Sequence, residues 1–341
     1  MYSALRASYA PSLGRRASSP PRSVAYSARV RALVVVNPRA TAMSPRERDV
    51  LAHALGGETA LDVVETTHRH HAAALAREAM RTGTGLVVAL GGDGTVNEVI
   101  NGLLSDGIHP GVPALGVVPA GSTNVFVRAL GIPKDAIEAT GALLEGLRSG
   151  ASRSVSLGMA DDRYFCFAAG MGFDAQIVHG VEAKRQQGRR STHVLYTRVG
   201  IREFVKSDRR HPRVRVELPD GTQLDEVYFA IVANADPWTF VGNRPLHPTP
   251  EASFETGLDL YARRRMGTAG MLLSMGRMSG NRPKVGSRGA FVVHDLDRLT
   301  LVADEPLPFQ VDGDAVDFRE KVAFRSIPDA IRVVGVPLEA R

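Results

Sequence analysis

Short apolar runs alternate with helical patterns along the first half of the chain. Four runs rich in branched residues predict buried strands, at 33–36, 61–64, 86–90 and 115–118. Apolar residues at helical spacing predict helices between or after them, at 70–81, 95–104, 123–130 and 135–147. This alternation is typical of a parallel sheet with helices on both faces. We therefore predict an α/β domain that binds its ligand at the carboxyl ends of the strands.

The pattern changes after Gly150. Apolar and alternating runs separated by turn residues predict antiparallel hairpins, at 152–160 with 164–168 and at 213–218 with 224–233. Further runs predict strands at 299–302 and 309–311, and an apolar terminal strand at 331–336. The second half of the chain is therefore predicted to be a mostly antiparallel, β-rich domain.

The turn between the third strand and its helix is rich in glycine, with the sequence Gly91-Gly92-Asp93-Gly94-Thr95. Glycines let the backbone approach a ligand closely, and the free N–H groups of a first helical turn favour an anion. The turn therefore predicts a phosphate site. It matches neither of two common nucleotide motifs, because the chain has no Gly-Lys pair and position 97 is Asn where GxGxxG needs Gly.

Other candidate motifs are weaker. A GxGxxA match at 170–175 has no acidic residue near position 190, which favours an ordinary strand-to-helix turn over dinucleotide binding. Histidines at 68, 70 and 71 crowd a strand-to-helix junction, and a polar loop is favoured over a zinc site there. Serine and cysteine nucleophile sites lack a supporting motif such as GxSxG. The single cysteine, Cys166, lies in an apolar run and is predicted to be a core residue.

Composition is consistent with a two-domain enzyme. The chain has 341 residues and 44% hydrophobic content, enough for two cores, while its apolar runs are too short to span a bilayer. Residues 1–46 contain eight arginines and no acidic residue, and we predict a disordered basic arm over 1–29. A targeting role and a non-functional extension both remain open for the arm. The net charge of +6 is compatible with a membrane surface, nucleic acid or ATP, so it does not indicate which anionic partner the protein binds.

Several motifs together resemble one family. They are the run GGDGTVNEVING at 91–102, the segment containing PAGSTN at 113–126, Asn37-Pro38, the Gly-Phe-Asp of 172–174 and the Val-Asp-Gly-Asp of 311–314. In this order they resemble the catalytic domain of the bacterial diacylglycerol kinase-like lipid kinases, over about residues 30–337. NAD kinases and sphingosine kinases share the GGDG turn. The TVNEV continuation and the PAGSTN segment favour the lipid-kinase branch.

The resemblance implies an organisation and an activity. We expect the basic arm at 1–29, an ATP-binding catalytic domain at 30–150, a lipid-substrate domain at 151–327, and a strand at 328–341 that returns to the first domain. The expected reaction uses ATP and Mg²⁺ to phosphorylate a lipid hydroxyl, most simply converting diacylglycerol into phosphatidic acid. The alternatives are an NAD kinase and a non-catalytic regulator of the same fold, the latter disfavoured by the intact acids at 312 and 314.

The resemblance also assigns candidate site residues. Expected nucleotide contacts are Asn37, Thr66, Gly91, Gly92, Asp93, Gly94, Thr95, Asn97 and Ser122. Asp93 is also the candidate metal contact, through water. For Asn97 and Glu98 the alternative role is helix capping and loop support. Expected catalytic acids are Asp312 and Asp314, with the family's usual Glu shortened to Asp at 314. Which of the two takes the proton is left open, and a tight turn is the alternative for this segment.

The lipid-facing surface is expected on basic segments. Residues 184–215 contain eleven Lys or Arg, and three arginines at 263–265 precede methionines at roughly helical intervals. A basic helix of this kind suits an anionic membrane surface, and a core helix is the alternative. We expect a cytoplasmic enzyme in peripheral contact with the inner face of the membrane, without a nucleic-acid partner; a homodimer is left open. A structural metal site implied near 256–259 is in doubt because Thr256 replaces an acid.

Overall fold

The computed structural model describes residues 30–40, 45–186, 198–200, 202–203, 211–280, 283, 285 and 289–337. The predicted arm at 1–29, most of the basic run at 184–215 and the last four residues lie outside this part of the chain. No helix within the described ranges is long and apolar enough to cross a membrane.

The first half of the chain alternates strands and helices. In chain order its elements are β1 (Val30–Val36), α1 (Pro45–Glu58), β2 (Thr59–Glu65), α2 (His71–Arg81), β3 (Leu86–Gly91), α3 (Asp93–Leu103), β4 (Ala114–Pro119), α4 (Val125–Ala129) and α5 (Ala136–Ser149). The strands pair in parallel in the order β2-β1-β3-β4. The predicted parallel sheet is confirmed. Helix α1 was not predicted, and two adjacent glycines near its end, poor helix formers, weaken its signal.

Strand β3 shows why these runs are continuously apolar. All six of its residues are buried. Val87 and Ala89 join the cluster that contains residues of α2 and α3, whereas Leu86, Val88 and Leu90 join the cluster that contains residues of α1 and α5. A strand covered on both faces has no solvent-facing positions, so its sequence shows no polar alternation.

The second half of the chain is mostly antiparallel. Its elements are β5 (Ser152–Ala160), β6 (Arg163–Phe165), β7 (Ala168–Gly172), α6 (Phe173–Gln186), β8 (Val214–Glu217), β9 (Gln223–Val227), β10 (Phe229–Ala233), β11 (Thr239–Val241), β12 (Arg244–Leu246), β13 (Leu258–Arg263), α7 (Thr268–Met278), β14 (Ala290–Leu296), β15 (Arg298–Val311) and β16 (Asp314–Val334). The strand path runs β14-β13-β10-β7-β15-β16, and β16 then pairs in parallel with β4. One extended sheet therefore joins the two halves.

Two predicted strands are each divided in the structure. The strand expected at 164–168 ends with β6, which pairs with β5, and a new strand begins at β7, which pairs with β10 and β15. The N–H groups of Cys166 and Phe167, between them, donate to a side chain instead of a neighbouring strand. The strand expected at 224–233 divides at Tyr228, since β9 pairs with β8 and β10 with β7. Hydrophobic periodicity does not show where a strand changes its pairing partner, so these boundaries could not be predicted from it.

The GxGxxA match at 170–175 is an ordinary strand-to-helix turn. Strand β7 ends at Gly172 and α6 begins at Phe173. Both neighbours of β7 in the sheet are antiparallel to it, whereas a dinucleotide-binding turn belongs to a parallel βαβ unit. Cys166 is 1% exposed, which confirms its prediction as a core residue.

Candidate active site

The glycine turn presents bare backbone at the edge of the parallel sheet. Gly92 precedes the first residue of α3, and the Gly91 carbonyl accepts a hydrogen bond from the N–H of Ala120 at 2.8 Å. A Cβ atom on Gly121 would lie 2.6 Å from the Cα atom of Gly92. The two loops touch because neither carries a side chain at this point. Together they form a surface of backbone suited to phosphate groups.

The ends of three parallel strands meet at this turn, as the sequence predicts. The Asn37 side chain donates to the Thr95 hydroxyl at 3.1 Å, and the Asn37 N–H donates to the Leu90 carbonyl at 3.0 Å. The N–H of Thr66 donates to the Val36 carbonyl at 2.8 Å. The structure thus brings together the polar residues that follow β1, β2 and β3. Among the other predicted contacts, Ser122 is exposed at the same edge.

Asp93 joins the glycine turn to the start of α4. Its two carboxylate oxygens accept hydrogen bonds from the N–H groups of Val125 and Phe126, at 3.0 and 3.1 Å. Burial of the carboxyl group raises its pKa to about 7; the two N–H donors oppose this shift, and the negative charges of Asp312 and Asp314 add to it. Asp93 therefore fixes the position of the glycine turn relative to the loop that precedes α4. Each oxygen keeps acceptor capacity for a bound water.

Asp312 is a buried acceptor for four donors. Its Oδ2 accepts from the N–H of Cys166 and from the Asn97 amide, both at 2.7 Å. Its Oδ1 accepts from the N–H groups of Phe167 and Ala168, at 3.0 and 3.2 Å. Burial raises the pKa of Asp312, although these donors oppose the shift. The carboxylate satisfies the backbone at the point where β6 ends and β7 begins, and its contact with Asn97 links this point to the first half of the chain.

Asn97 extends this junction into α3. It is 1% exposed, and its side-chain amide donates to the Tyr164 carbonyl at 2.9 Å as well as to Asp312. Its side-chain oxygen accepts from the Arg163 guanidinium at 2.8 Å. Asn101, one turn further along the helix, donates to the Tyr164 carbonyl and accepts from the Tyr164 N–H. These contacts match the loop-support alternative for Asn97.

Asp314 lies against the glycine turn. It is half-buried at the start of β16, and a Cβ atom added to Gly94 would lie 2.9 Å from its Oδ2. Gly313, between the two acids, has a positive φ of 77°, and Asp312 also has a positive φ of 49°. The turn therefore directs the two carboxylates differently. Asp312 is enclosed by backbone donors, while Asp314 borders the surface where phosphate groups would lie.

Two further side chains contact the site, and only the contact of Arg69 was not predicted from the sequence. The exposed Arg69 side chain donates to the Ala315 carbonyl at 3.1 Å, across 246 residues of chain. The Glu98 carboxylate accepts from the N–H groups of His70 and Ala72 at 2.9 and 3.2 Å and so caps α2, which agrees with its capping alternative. In the sequence, the only sign of this contact of Arg69 is its position in a loop otherwise rich in histidine.

The two segments considered as metal sites in the sequence differ in their surroundings. His68 and His71 stack with ring centroids 4.8 Å apart beside the Thr67 hydroxyl, as a polar loop does. Near the doubtful site at 256–259, Asp259 accepts from His294 at 2.8 Å. Within the described ranges, no three His, Cys, Asp or Glu side chains are grouped so as to hold a metal ion. The Asp93 carboxylate of the glycine turn is the candidate contact, through water, for a Mg²⁺ ion bound mainly by water and nucleotide phosphates.

Solved structures identify the class of fold. A crystal structure of a diacylglycerol kinase from Bacillus anthracis aligns with 89% of this chain and 96% of that chain, with a TM-score of 0.66 and 18% identity. At this identity the likeness concerns the fold. The fold class expected from the sequence, a parallel nucleotide-binding sheet joined to an antiparallel β-rich region, is confirmed.

Sequence comparisons identify the family. The model for the diacylglycerol kinase catalytic domain matches residues 31–160. A Chromohalobacter salexigens protein named "Probable lipid kinase YegS-like" is 30% identical over 262 residues, covering 75% of this chain and 78% of that protein. The Bacillus subtilis diacylglycerol kinase is 38% identical over 120 residues, which cover 35% of this chain and 37% of that enzyme. The chain belongs to the diacylglycerol kinase-like lipid kinase family and is a kinase.

Proposed function

We propose that this enzyme transfers the γ-phosphoryl group of ATP to the free hydroxyl of diacylglycerol, forming phosphatidic acid. The proposal rests above all on the position of Asp314, whose carboxylate borders Gly94 in the phosphate-facing turn. A general base must lie within reach of both the attacking hydroxyl and the phosphoryl group. Family membership supplies the substrate class, and the name of the Bacillus subtilis relative supplies the specific acceptor.

Asp314 is the proton acceptor in this proposal, and Asp312 is a positioning residue. The two oxygens of Asp312 already accept four hydrogen bonds, each from a donor that belongs to the fold. A carboxylate so engaged would have to give up structural contacts to take a proton. Asp314 lies two residues further on, at the surface of the same turn, and its distance from Gly94 depends on Asp312 holding that turn in place.

The reaction is an in-line phosphoryl transfer. The acceptor hydroxyl loses its proton to the Asp314 carboxylate as its oxygen forms a bond to the γ-phosphorus, while the bond from that phosphorus to the bridging oxygen breaks and ADP leaves. The backbone N–H groups after Gly92 and the hydroxyls of Thr95 and Ser122 would orient the phosphates. Mg²⁺ supplies charge neutralisation when bound with the nucleotide, and Asp93 would contact it through water.

A cavity of about 560 Å³ provides a place for the acceptor. Its lining combines apolar and polar groups and includes Phe173, His179, Tyr228, Met266, Leu307 and Pro308. Pro308 lies four residues before Asp312 on the same extended segment, roughly 13 Å at 3.3 Å per residue. An elongated amphipathic molecule in this cavity could therefore extend its hydroxyl toward Asp314.

The test is an acceptor panel with purified protein, Mg²⁺ and ³²P-labelled ATP. The acceptors are diacylglycerol, sphingosine, monoacylglycerol and NAD, each compared with the Asp314→Asn variant as a catalytic blank. We expect labelled phosphatidic acid as the main product, with loss of label in the variant and on omission of Mg²⁺. Labelled NADP without any lipid product would instead support an NAD kinase. Absence of transfer to every acceptor would favour a non-catalytic regulator.

A further inference from the structure

Helix α7 presents its most apolar residues to solvent. Ser274 and Met278 face inward and are 7% exposed, while Leu272, Leu273 and Met275 are 66%, 56% and 43% exposed. A surface helix usually buries its leucines and exposes its serines. In α7 this distribution is reversed, and three large apolar side chains within four residues form one outward patch.

A buried arginine fixes this orientation. Arg263, at the end of β13, is 2% exposed, which corrects the expectation that it belongs to a basic surface. Its guanidinium donates to the Ser274 hydroxyl, to the Tyr261 hydroxyl at 3.2 Å and to the Arg265 carbonyl at 3.1 Å. Ser274 must face inward to accept this hydrogen bond. Rotating α7 to bury the leucines would leave the guanidinium without that acceptor, so the outward patch is set by the fold.

Basic residues precede and follow the patch along the chain. Residues 260–294 contain seven Lys or Arg and no Asp or Glu. Of these, Arg265 and Arg277 are exposed in the structure. An apolar patch between cations is complementary to the surface of an anionic bilayer, where leucines enter the acyl boundary and arginines meet the headgroups.

The segment that leads into α7 also contributes to the proposed acceptor cavity. Met266, two residues before α7, is 3% exposed and lines that cavity. The N–H of Tyr228, another lining residue, donates to the carbonyl of Arg263 at 2.8 Å. The same short segment thus connects the outward helix to the cavity wall. A lipid leaving a bilayer in contact with α7 would have a short path to the cavity.

We propose that α7 docks the enzyme onto an anionic membrane surface through Leu272, Leu273 and Met275, with Arg265 and Arg277 contacting headgroups. The choice of partner rests on the lipid-kinase function proposed above. This surface differs from the run at 184–215 expected from the sequence, most of which lies outside the described residues. The partner is a lipid bilayer; a second copy of the chain is the rival occupant that the test must separate.

The test compares two double variants, each of which replaces two exposed aliphatic side chains with Glu. Leu272→Glu/Leu273→Glu places charges on the patch, and Val50→Glu/Ile137→Glu places them at positions 61% and 63% exposed on α1 and α5. Binding is measured without ATP, by sedimentation with two kinds of vesicle. One contains phosphatidylcholine alone, and the other also contains about 30% phosphatidylglycerol, an anionic lipid. We expect the patch variant to lose roughly 100-fold in affinity for anionic vesicles, and the control variant to bind as the wild type does.

A second readout separates docking from catalysis. With a short-chain diacylglycerol dispersed as monomers, the patch variant should turn over like the wild type, whereas with acceptor in vesicles its rate should fall with its binding. Equal vesicle binding by both double variants would overturn the proposal, whatever the acceptor proves to be. Concentration-dependent dimerisation of the wild type without lipid, abolished in the patch variant, would assign the patch to a second copy. A melting temperature lowered only in the patch variant would show that the chain itself covers it.

Discussion

The two acids of the Asp-Gly-Asp turn should respond differently to the same substitution. Asn at position 312 keeps one acceptor oxygen and replaces the other with an NH₂ donor. Each Asp312 oxygen accepts two hydrogen bonds, so either orientation of the new amide leaves two buried donors without their acceptor. Asn at position 314 changes a half-buried side chain at the edge of the turn.

The magnitudes follow from this difference. A buried polar group left unsatisfied costs about 1–3 kcal/mol, so two cost roughly 2–6 kcal/mol. Removal of a buried carboxylate whose pKa is raised by burial offsets part of this loss. We therefore expect Asp312→Asn to lower the free energy of unfolding by about 2–4 kcal/mol. For Asp314→Asn we expect a change within about 1 kcal/mol and a loss of turnover of roughly 100-fold or more.

The assay combines urea unfolding, nucleotide binding and lipid phosphorylation for wild type and variants. Asp225→Asn makes the same chemical change at an exposed position on β9 and serves as the matched control. If Asp312→Asn unfolds like this control, the four hydrogen bonds do not stabilise the junction as argued. If Asp314→Asn retains wild-type turnover on the best lipid acceptor, Asp314 is not the base, and the assignment of the two acids must be reversed or abandoned.

Three further outcomes are expected. Gly94→Ala places a Cβ 2.9 Å from Oδ2 of Asp314, so the carboxylate must move and turnover should fall roughly 100-fold. Gly141→Ala is the control: no atom lies within 4 Å of its Cβ, and turnover in the same assay should not change. Arg69→Gln removes the donor to the backbone beside Asp314, and kcat should fall roughly 10-fold while the melting temperature stays constant; a wild-type kcat would remove Arg69 from the site. Burial raises the pKa of Asp174 to about 7, so the folded chain retains a proton that the unfolded chain releases near pH 4, and stability declines as pH rises between these values. In Asp174→Asn the decline in melting temperature from pH 5 to pH 8 should be smaller than in wild type, and an unchanged decline would exclude Asp174 as its source.

The sequence by itself determined much of the first half of the fold. The apolar runs that became β1, β3 and β4 are local properties, since a strand buried on both faces must be apolar throughout. The run that became β2 was also predicted, although this edge strand is largely exposed. The helical spacing after the strands is local as well. The glycine turn was equally visible, because glycine is required where Gly92 and Gly121 touch. The boundaries of β6, β7, β9 and β10 were missed because they follow changes of pairing partner, which periodicity does not record.

Only the tertiary structure decided how the polar groups are used. Asp312 and Asp314 are the same residue type in one turn. Yet three backbone donors to Asp312 lie 144–146 residues earlier in the chain, and Asn97 lies 215 residues earlier. The orientation of α7 was likewise undetermined, since its methionines and leucines allow either face to point inward. A hydrogen bond from Arg263 to Ser274 selects one of them. Hydrophobic periodicity records which residues avoid water, whereas these choices depend on which donor meets which acceptor across the folded chain.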